Sequence, residues 1–137
     1  MSAPEIKSCH CGVIFALGIE SGGFEDLLSG LVRIRGHGFV AKEGGLKGRR
    51  IVVIRSGPGQ KNAARAAELL IDGHRPQMVI SAGFAGGLNP LLKRHDILLA
   101  DQVIDQEGRS LQWPLDWPGL EGRPLQWPPD WPGLHTG

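Results

Sequence analysis

The chain has 137 residues, of which 41% are hydrophobic, and a formal net charge of +1 at pH 7. This size and composition suit one modest globular domain with a hydrophobic core. The near-neutral charge gives no basic surface for nucleic acid, and no apolar run reaches the length of a membrane span. The first five residues lack the basic and apolar regions of a signal peptide, so we expect a cytoplasmic protein without nucleic-acid or membrane partners.

Cys9, His10 and Cys11 are potential metal ligands near the amino terminus. A tetrahedral site normally needs a second Cys or His cluster to complete it, and the sequence contains none. We therefore expect no metal site here. Residues 1–10 are predicted to be a frayed lead-in with reduced thiols that enter the first strand.

The first predicted strand is the apolar run at residues 12–17, followed by a loop at residues 18–23 and a short helix at residues 24–28. Glu20 lies just beyond the carboxyl end of that strand, where open α/β sheets bind ligands. Its carboxylate either faces a ligand or is a solvated carboxylate at a helix start.

Residues 31–38 alternate apolar and polar side chains, which indicates a half-exposed strand. The arginines of this region and of the next turn are Arg33, Arg35, Arg49 and Arg50. They could form a phosphate patch, but arginines dispersed along strand edges are usually solvated.

The central stretch of the chain combines short apolar runs with an alanine-rich segment. β-Branched runs at residues 51–54, 78–80 and 97–100 predict three buried strands. From residue 62, alanines and leucines with helical spacing predict a helix that stops at Gly73 and Pro76. A strand, crossover helix and strand are almost always parallel, so their loops should emerge at one edge of the sheet.

Two glycine loops occupy that predicted edge, at residues 56–59 and 82–87. Glycine lets the backbone turn with positive φ and approach a ligand, while the N–H groups of a following helix attract anions or hydroxyls. On spacing alone, tight strand-to-helix turns explain the loops equally well. A dinucleotide-binding loop fits less well, because no third glycine follows Gly59 and no acidic residue ends the second strand.

Three linked motifs carry a family resemblance: Ser-Gly-Pro-Gly-Gln-Lys-Asn-Ala-Ala at 56–64, Arg-Pro-Gln-Met-Val-Ile at 75–80 and Ala-Gly-Phe-Ala-Gly-Gly-Leu at 82–88. They resemble the nucleoside phosphorylase and nucleosidase family, in particular methylthioadenosine/S-adenosylhomocysteine nucleosidases and hopanoid-associated phosphorylases. The resemblance covers about residues 13–103. It implies an α/β fold, namely part of a phosphorylase/hydrolase-like three-layer domain with a mixed, mainly parallel central sheet.

By this resemblance, the chain would cleave the N-glycosidic bond of a purine nucleoside in methionine salvage, as a nucleosidase or a phosphorylase. Glu20, in Ala-Leu-Gly-Ile-Glu, matches a family glutamate that positions the attacking water or the ribose. The substrate-binding residues that the resemblance implies are Ser56, Gly57, Gly59, Phe84, Ala85 and Gly86. No metal or organic cofactor is implied, and phosphate would enter only as a co-substrate.

The chain departs from the family pattern at several positions. Phe84 stands where phosphate-using relatives often have Ser or Thr, Gln60 replaces a common lysine, and His95 stands where glycine is usual. These changes weaken the case for phosphorolysis more than the case for the fold. The family domain needs roughly a hundred residues more, so the resemblance also implies a missing catalytic C-terminal half and impaired activity.

A tandem repeat fills the end of the chain: residues 107–120 recur as residues 121–134 with two differences. Each tryptophan of the repeat directly precedes a proline, which excludes a helix or a central strand there. We therefore divide the chain into an α/β portion at 1–106 and an irregular tail at 107–137. The tail is either a docking segment of a non-enzymatic interaction protein or a duplication without a role. An incomplete sheet would also leave an edge for self-association.

Overall fold

The computed structural model describes residues 8–35, 38–100 and 102–112, and the backbone of residues 134–136. The elements are β1 (Cys11–Phe15), α1 (Gly18–Glu25), β2 (Ser29–Ile34), β3 (Val40–Leu46), β4 (Arg49–Arg55), α2 (Gln60–His74), β5 (Met78–Ser81), β6 (Ile97–Leu99), β7 (Gln102–Ile104), β8 (Ser110–Gln112) and β9 (Leu134–Thr136). They form two compact units, Met1–Ala85 and Gly86–Gly137. The division at residues 106 and 107 rests on the resemblance and stays a prediction.

A five-stranded sheet with the order β2-β3-β4-β1-β5 forms the first unit. β1 pairs in parallel with β4 and β5, whereas β3 pairs antiparallel with β2 and β4. The predicted α/β class with a mixed sheet is confirmed, with parallel and antiparallel pairs equally represented. In the second unit, a strand is present at the predicted position as β6, which pairs with β9 in a separate two-stranded sheet. The prediction that this strand is buried is wrong, because Ile97 and Leu98 are exposed.

Both faces of the five-stranded sheet are packed, because successive side chains of a strand point to opposite faces. One core contains side chains of the sheet, of α2 and of the segment before β1: Cys9, Ile14, Ala41, Val52, Ile54, Ala66 and Leu70. The other contains sheet side chains and residues of the α1 region: Cys11, Val13, Phe15, Leu28, Ile51 and Val53, with Phe24 packed against them. The first unit therefore has the three layers that the resemblance implied.

α1 lies where the sequence predicted a loop. The predicted helix at residues 24–28 is wrong in its position, because the helix occupies Gly18–Glu25 instead. Gly22 and Gly23 each cost about 1 kcal/mol relative to alanine in a helix, and a helix of 8 residues is too short to be stable alone. Tertiary contacts must therefore hold α1 in place.

α2 begins at Gln60 and runs through Gly73 to His74, slightly longer at both ends than the sequence predicted. It ends because Arg75 adopts a left-handed conformation, with φ of 43°, and donates its N–H to the carbonyl of Ile71. Glycine normally occupies such a position. Gly73 was predicted to end the helix, but it lies inside the last turn, and Arg75 is the residue at which α2 ends.

The residues just before β1 are anchored, not frayed as expected. The N–H of Cys9 donates to the carbonyl of His74 at 3.0 Å, and the N–H of Gln77 donates to the carbonyl of Cys9 at 3.1 Å. Nδ1 of His10 accepts the N–H of Arg50 at 3.1 Å. These bonds tie the chain to the end of α2 and the start of β4, while residues 1–7 lie outside the described residues.

Strands also occur at both ends of the predicted tail. β8 pairs antiparallel with β7, and β9 pairs parallel with β6. The tail is therefore not irregular throughout, and neither strand contains a proline, which would remove a backbone donor. All four tryptophans lie outside the described residues, so irregular structure in the Trp-Pro segments stays a prediction.

Candidate functional site

The carboxyl ends of three parallel strands meet at one edge of the five-stranded sheet. In β1, Phe15 is in register with Arg55 of β4, and Ile14 is in register with Ser81 of β5. The first glycine loop follows Arg55 and the second follows Ser81. Both loops therefore start at the same edge, as the strand-helix-strand pattern predicted, and this edge is where open α/β sheets bind ligands.

Glu20 meets the second glycine loop at this edge. It lies in the first turn of α1, and its Oε2 accepts a hydrogen bond from the backbone N–H of Phe84 at 3.2 Å. A Cβ atom at Gly83 would overlap the Glu20 carboxylate, so glycine leaves room for the carboxylate in this position. The structure thus brings together two predicted site residues that are 64 positions apart. Gly83 was not among the predicted residues, although its place inside the Ala-Gly-Phe motif was a signal for it.

Ser56 and Gly57 give the first loop its shape. Ser56 is buried, and its hydroxyl donates to the carbonyl of Gly57 at 2.8 Å. The N–H of Gly57 donates to the carbonyl of Ala16 at 2.9 Å, which ties the loop to the end of β1. Positive φ angles of 79° at Gly57 and 98° at Gly59 allow the turn into α2. Because the Ser56 hydroxyl is engaged by backbone, its contact with substrate stays a prediction.

The amino end of α2 follows this loop. Within the described residues, no side chain caps α2 at Gly59, and its first turn carries no acidic residue. The first N–H groups of a helix have no acceptor within the helix and form the positive end of its dipole. The Asn62 side chain binds back to the carbonyl of Pro58 at 2.9 Å and so stabilises the loop. This end of α2 is suited to a hydroxyl or an anion.

The remaining predicted site residues lie on the second loop. Phe84 places 76% of its surface in solvent while its N–H is held by Glu20. Ala85 and Gly86 are exposed as well, and Gly86 begins the second compact unit. That their N–H groups donate to a substrate stays a prediction.

Two polar side chains of the sheet, Arg55 and Lys42, support α1 by binding Ser21 and Glu25 of the helix, and sequence analysis missed this cluster. Arg55, the last residue of β4, donates from Nη2 to Oε2 of Glu25 at 2.8 Å and from Nε to the hydroxyl of Ser21 at 3.1 Å. Lys42 of β3 donates to the same oxygen of Glu25 at 3.3 Å. Burial alone would raise the pKa of Glu25, but the hydrogen bonds from Arg55 and Lys42 outweigh it and hold that pKa below its ordinary value. The sequence carried no clear signal for this cluster, because charged side chains are more often solvated than buried in pairs.

The four arginines that could have formed a phosphate patch are dispersed along the strands, as expected for solvated side chains. Arg50 forms an ion pair with Glu43 and donates to the carbonyl of Ser8 at 3.0 Å. Arg33, Arg35 and Arg49 are exposed. An open groove of about 530 Å³ runs along β2, β3 and the start of β4, where Arg49 and Arg50 line it. It does not include Glu20 or either glycine loop.

Cys9 and Cys11 are buried free thiols. Burial raises the pKa of Cys11 to about 11, which disfavours the thiolate that a metal would require. In the part of the chain that the structure describes, no group of three His, Cys, Asp or Glu side chains could hold a metal ion. No described helix has both the length and the apolar character needed to cross a membrane.

Known proteins similar to this chain are methylthioadenosine/S-adenosylhomocysteine nucleosidases. The enzyme of Geobacillus thermodenitrificans is 41% identical over 64 residues, which are 47% of this chain and 27% of the relative. The enzyme of Tolumonas auensis is 32% identical over 92 residues, which are 67% of this chain and 40% of the relative. The chain thus spans two-fifths or less of the length of these relatives.

Solved structures of such nucleosidases share the fold. The Neisseria meningitidis enzyme in complex with methylthio-immucillin-A has a TM-score of 0.65 and 32% identity, over 68% of this chain and 40% of that one. The Colwellia psychrerythraea enzyme in complex with adenine has a TM-score of 0.65 and 30% identity, over 71% of this chain and 40% of that one.

The family model of the phosphorylase superfamily matches residues 12–131. This range includes residues 13–103, over which the resemblance was expected, and continues into the repeated tail. The match, the shared fold and the linked glycine motifs agree. The chain belongs to the phosphorylase superfamily.

Proposed function

We propose that this chain contributes Glu20 and the two glycine loops to a purine nucleosidase site, which hydrolyses the N-glycosidic bond of methylthioadenosine or S-adenosylhomocysteine. The observation that carries the proposal is the hydrogen bond from the N–H of Phe84 to Glu20, which joins α1 to the second loop. The names of the relatives and the purine-like ligands of the solved structures support the substrate class.

Hydrolysis of this bond needs a water molecule aligned with the anomeric carbon while positive charge develops on the sugar. Oε2 of Glu20 accepts the N–H of Phe84, and Oε1 has no hydrogen bond within the described residues. Oε1 is therefore available to take a proton from the attacking water or to hold a ribose hydroxyl. General-base assistance of this kind is typically worth about 10²- to 10⁴-fold in rate.

Water, not phosphate, is the nucleophile that we propose. The relatives are nucleosidases by name, and Phe84 offers no hydroxyl to a phosphate. The uncapped amino end of α2 is the feature that would suit phosphate best. Phosphate as a co-substrate would therefore show itself as purine release that requires phosphate.

Purine release from methylthioadenosine, S-adenosylhomocysteine, adenosine and inosine, with and without phosphate, tests this function. We expect Glu20→Gln to reduce release by about 10²-fold or more. Glu68→Gln is the matched control, because it neutralises an exposed carboxylate on α2. Equal release from the Glu20→Gln variant and the unmodified chain would remove Glu20 from the mechanism. No release from the folded chain would favour the alternative of a non-enzymatic interaction protein.

Self-association is a further part of the proposal. Within the described residues, β5 has a neighbouring strand on one side only, and Val79 of that strand is 41% exposed. An edge of this kind can pair with another chain. We expect sedimentation to show a concentration-dependent oligomer that Val79→Lys weakens. Ile71→Lys, at an exposed apolar position on α2, should leave it unchanged.

A further inference from the structure

The helix that carries Glu20 depends on contacts with the sheet. α1 has 8 residues, its Leu17 N-cap makes no side-chain hydrogen bond, and its interior contains Gly22 and Gly23. Phe24 supports it by packing against the core of the sheet, where its ring lies 6.0 Å from that of Phe15. This contact fixes the carboxyl end of α1 on the core, whereas Glu20 lies near the amino end.

Arg55 is the sheet residue that reaches along α1. Its guanidinium donates to Ser21, the neighbour of Glu20 in the chain, and to Glu25 at the other end of the helix. It also lies against the first turn, because a Cβ at Gly18 would come within 2.9 Å of Nη1 of Arg55. Arg55 directly precedes Ser56 in the chain. One side chain therefore connects the first glycine loop with both ends of α1.

We propose that Arg55 is a positioning residue for Glu20: by binding Ser21 and Glu25 it fixes α1 so that the Glu20 carboxylate stays on the N–H of Phe84. This inference rests on the proposed function only where it treats Glu20 as the catalytic carboxylate. The contacts of Arg55 with α1, and of Glu20 with Phe84, do not depend on that function.

Loss of Arg55 should move α1 and leave the core intact. The Glu25 side chain is only 7% exposed, and without Arg55 it would keep one partner, Lys42, at 3.3 Å. A buried carboxylate with too few partners moves toward water or gains a proton. Phe24 and Leu28 would still pack on the sheet, so the expected result is a displaced first turn in a folded chain.

NMR spectroscopy of the ¹⁵N-labelled full chain tests the inference without any substrate. In the unmodified chain, the amide shift of Phe84 should depend on pH through its hydrogen bond to the Glu20 carboxylate, and Glu20→Gln should abolish that dependence. We expect Arg55→Met to remove most of it, while the amide signals of Val53 and Ile54 in β4 stay dispersed. Arg55→Lys keeps a charge beside Glu25 but loses the bond to Ser21, so it should give an intermediate result.

Glu43→Gln is the matched control, because it breaks the Arg50 ion pair between the same two strands, β3 and β4, away from α1. It should leave the pH dependence of the Phe84 amide shift unchanged. The inference is overturned if the Phe84 amide shift keeps its normal pH dependence in folded Arg55→Met. It is also overturned if Glu43→Gln removes that dependence as Arg55→Met does. If the role of Arg55 is purely structural, Arg55→Met would lower the melting temperature and leave the pH dependence of the Phe84 amide shift intact. If Arg55→Met does not fold, the milder Glu25→Gln replaces it with the same expected loss.

The kinetic counterpart separates this inference from the proposed function. If the chain releases purine, a misplaced Glu20 in Arg55→Met should lower kcat/KM by about 10²-fold through kcat. If the chain releases no purine, the proposed function fails, while the pH dependence of the Phe84 amide shift still decides the role of Arg55.

Discussion

The two helices of the first unit are held by different forces. α2 has 15 residues, is rich in alanine, and buries Ala66 and Leu70 completely against the sheet. α1 has 8 residues, two interior glycines, and buried polar side chains at Ser21 and Glu25. The fold therefore depends on the strong helix, whereas the candidate catalytic carboxylate sits on the weak one. The geometry of the site should respond to polar substitutions that the fold itself tolerates.

The largest expected effect is on the α2 side. Leu70 is 0% exposed and contacts the backbone of β1 so closely that a Cβ at Gly12 would lie 2.5 Å from its Cδ2. Leu70→Ala should cost about 2–5 kcal/mol in the free energy of unfolding, measured by urea denaturation. Ile71→Ala, one residue along and 50% exposed, is the control. Similar losses for the two variants would mean that α2 does not pack through this face.

A smaller and pH-dependent effect is expected on the α1 side. The pKa of Glu25 is lowered in the folded chain, so its ionised pair with Arg55 stabilises the fold fully above the ordinary glutamate pKa of about 4.3. This contribution is lost as the pH falls through the lowered pKa. Glu25→Gln should therefore cost about 1–3 kcal/mol at pH 7. Its unfolding curve should approach that of the unmodified chain in acid.

The control for this pH effect is Glu68→Gln, an exposed carboxylate on α2. We expect it to change the free energy of unfolding by less than about 0.5 kcal/mol at either pH. A constant difference between Glu25→Gln and the unmodified chain from pH 7 to acid would show that the charge of Glu25 does not matter.

The same contrast explains which parts of the structure were predictable. Apolar β-branched runs such as residues 51–54 and the alanine pattern of α2 report burial, which local sequence encodes directly. The position of α1 was missed because Gly22 and Gly23 lower its local helix propensity, and contacts made by Arg55 override that preference. Gly73 and Pro76 indicated a stop near the observed end of α2, but Arg75 makes the left-handed turn in a conformation that favours glycine, so the residue that ends the helix was not predictable.

The candidate site divides in the same way. Glu20 and the two loops were found because motif spacing and parallel topology place them at one edge. The bond from Phe84 to Glu20 was not predictable from the sequence, since it joins backbone to side chain across 64 positions. The Glu25, Arg55 and Lys42 cluster was equally hidden, because charged residues in a sequence are far more often solvated than buried in pairs.

The smallest expected effect would strengthen the weak helix. A Cβ at Gly23 meets no atom within 4 Å, and Gly23 has helical geometry, so Gly23→Ala should raise the free energy of unfolding by about 0.5–1 kcal/mol. Gly48→Ala is the matched control: its Cβ also meets open space, but φ is 77°, so it should destabilise. If Gly23→Ala also strengthens the pH response of Phe84, then the stability of α1 itself sets how firmly Glu20 is held. Stabilisation without that response would instead mean that Arg55 already holds Glu20 in place, whatever the helix propensity of α1.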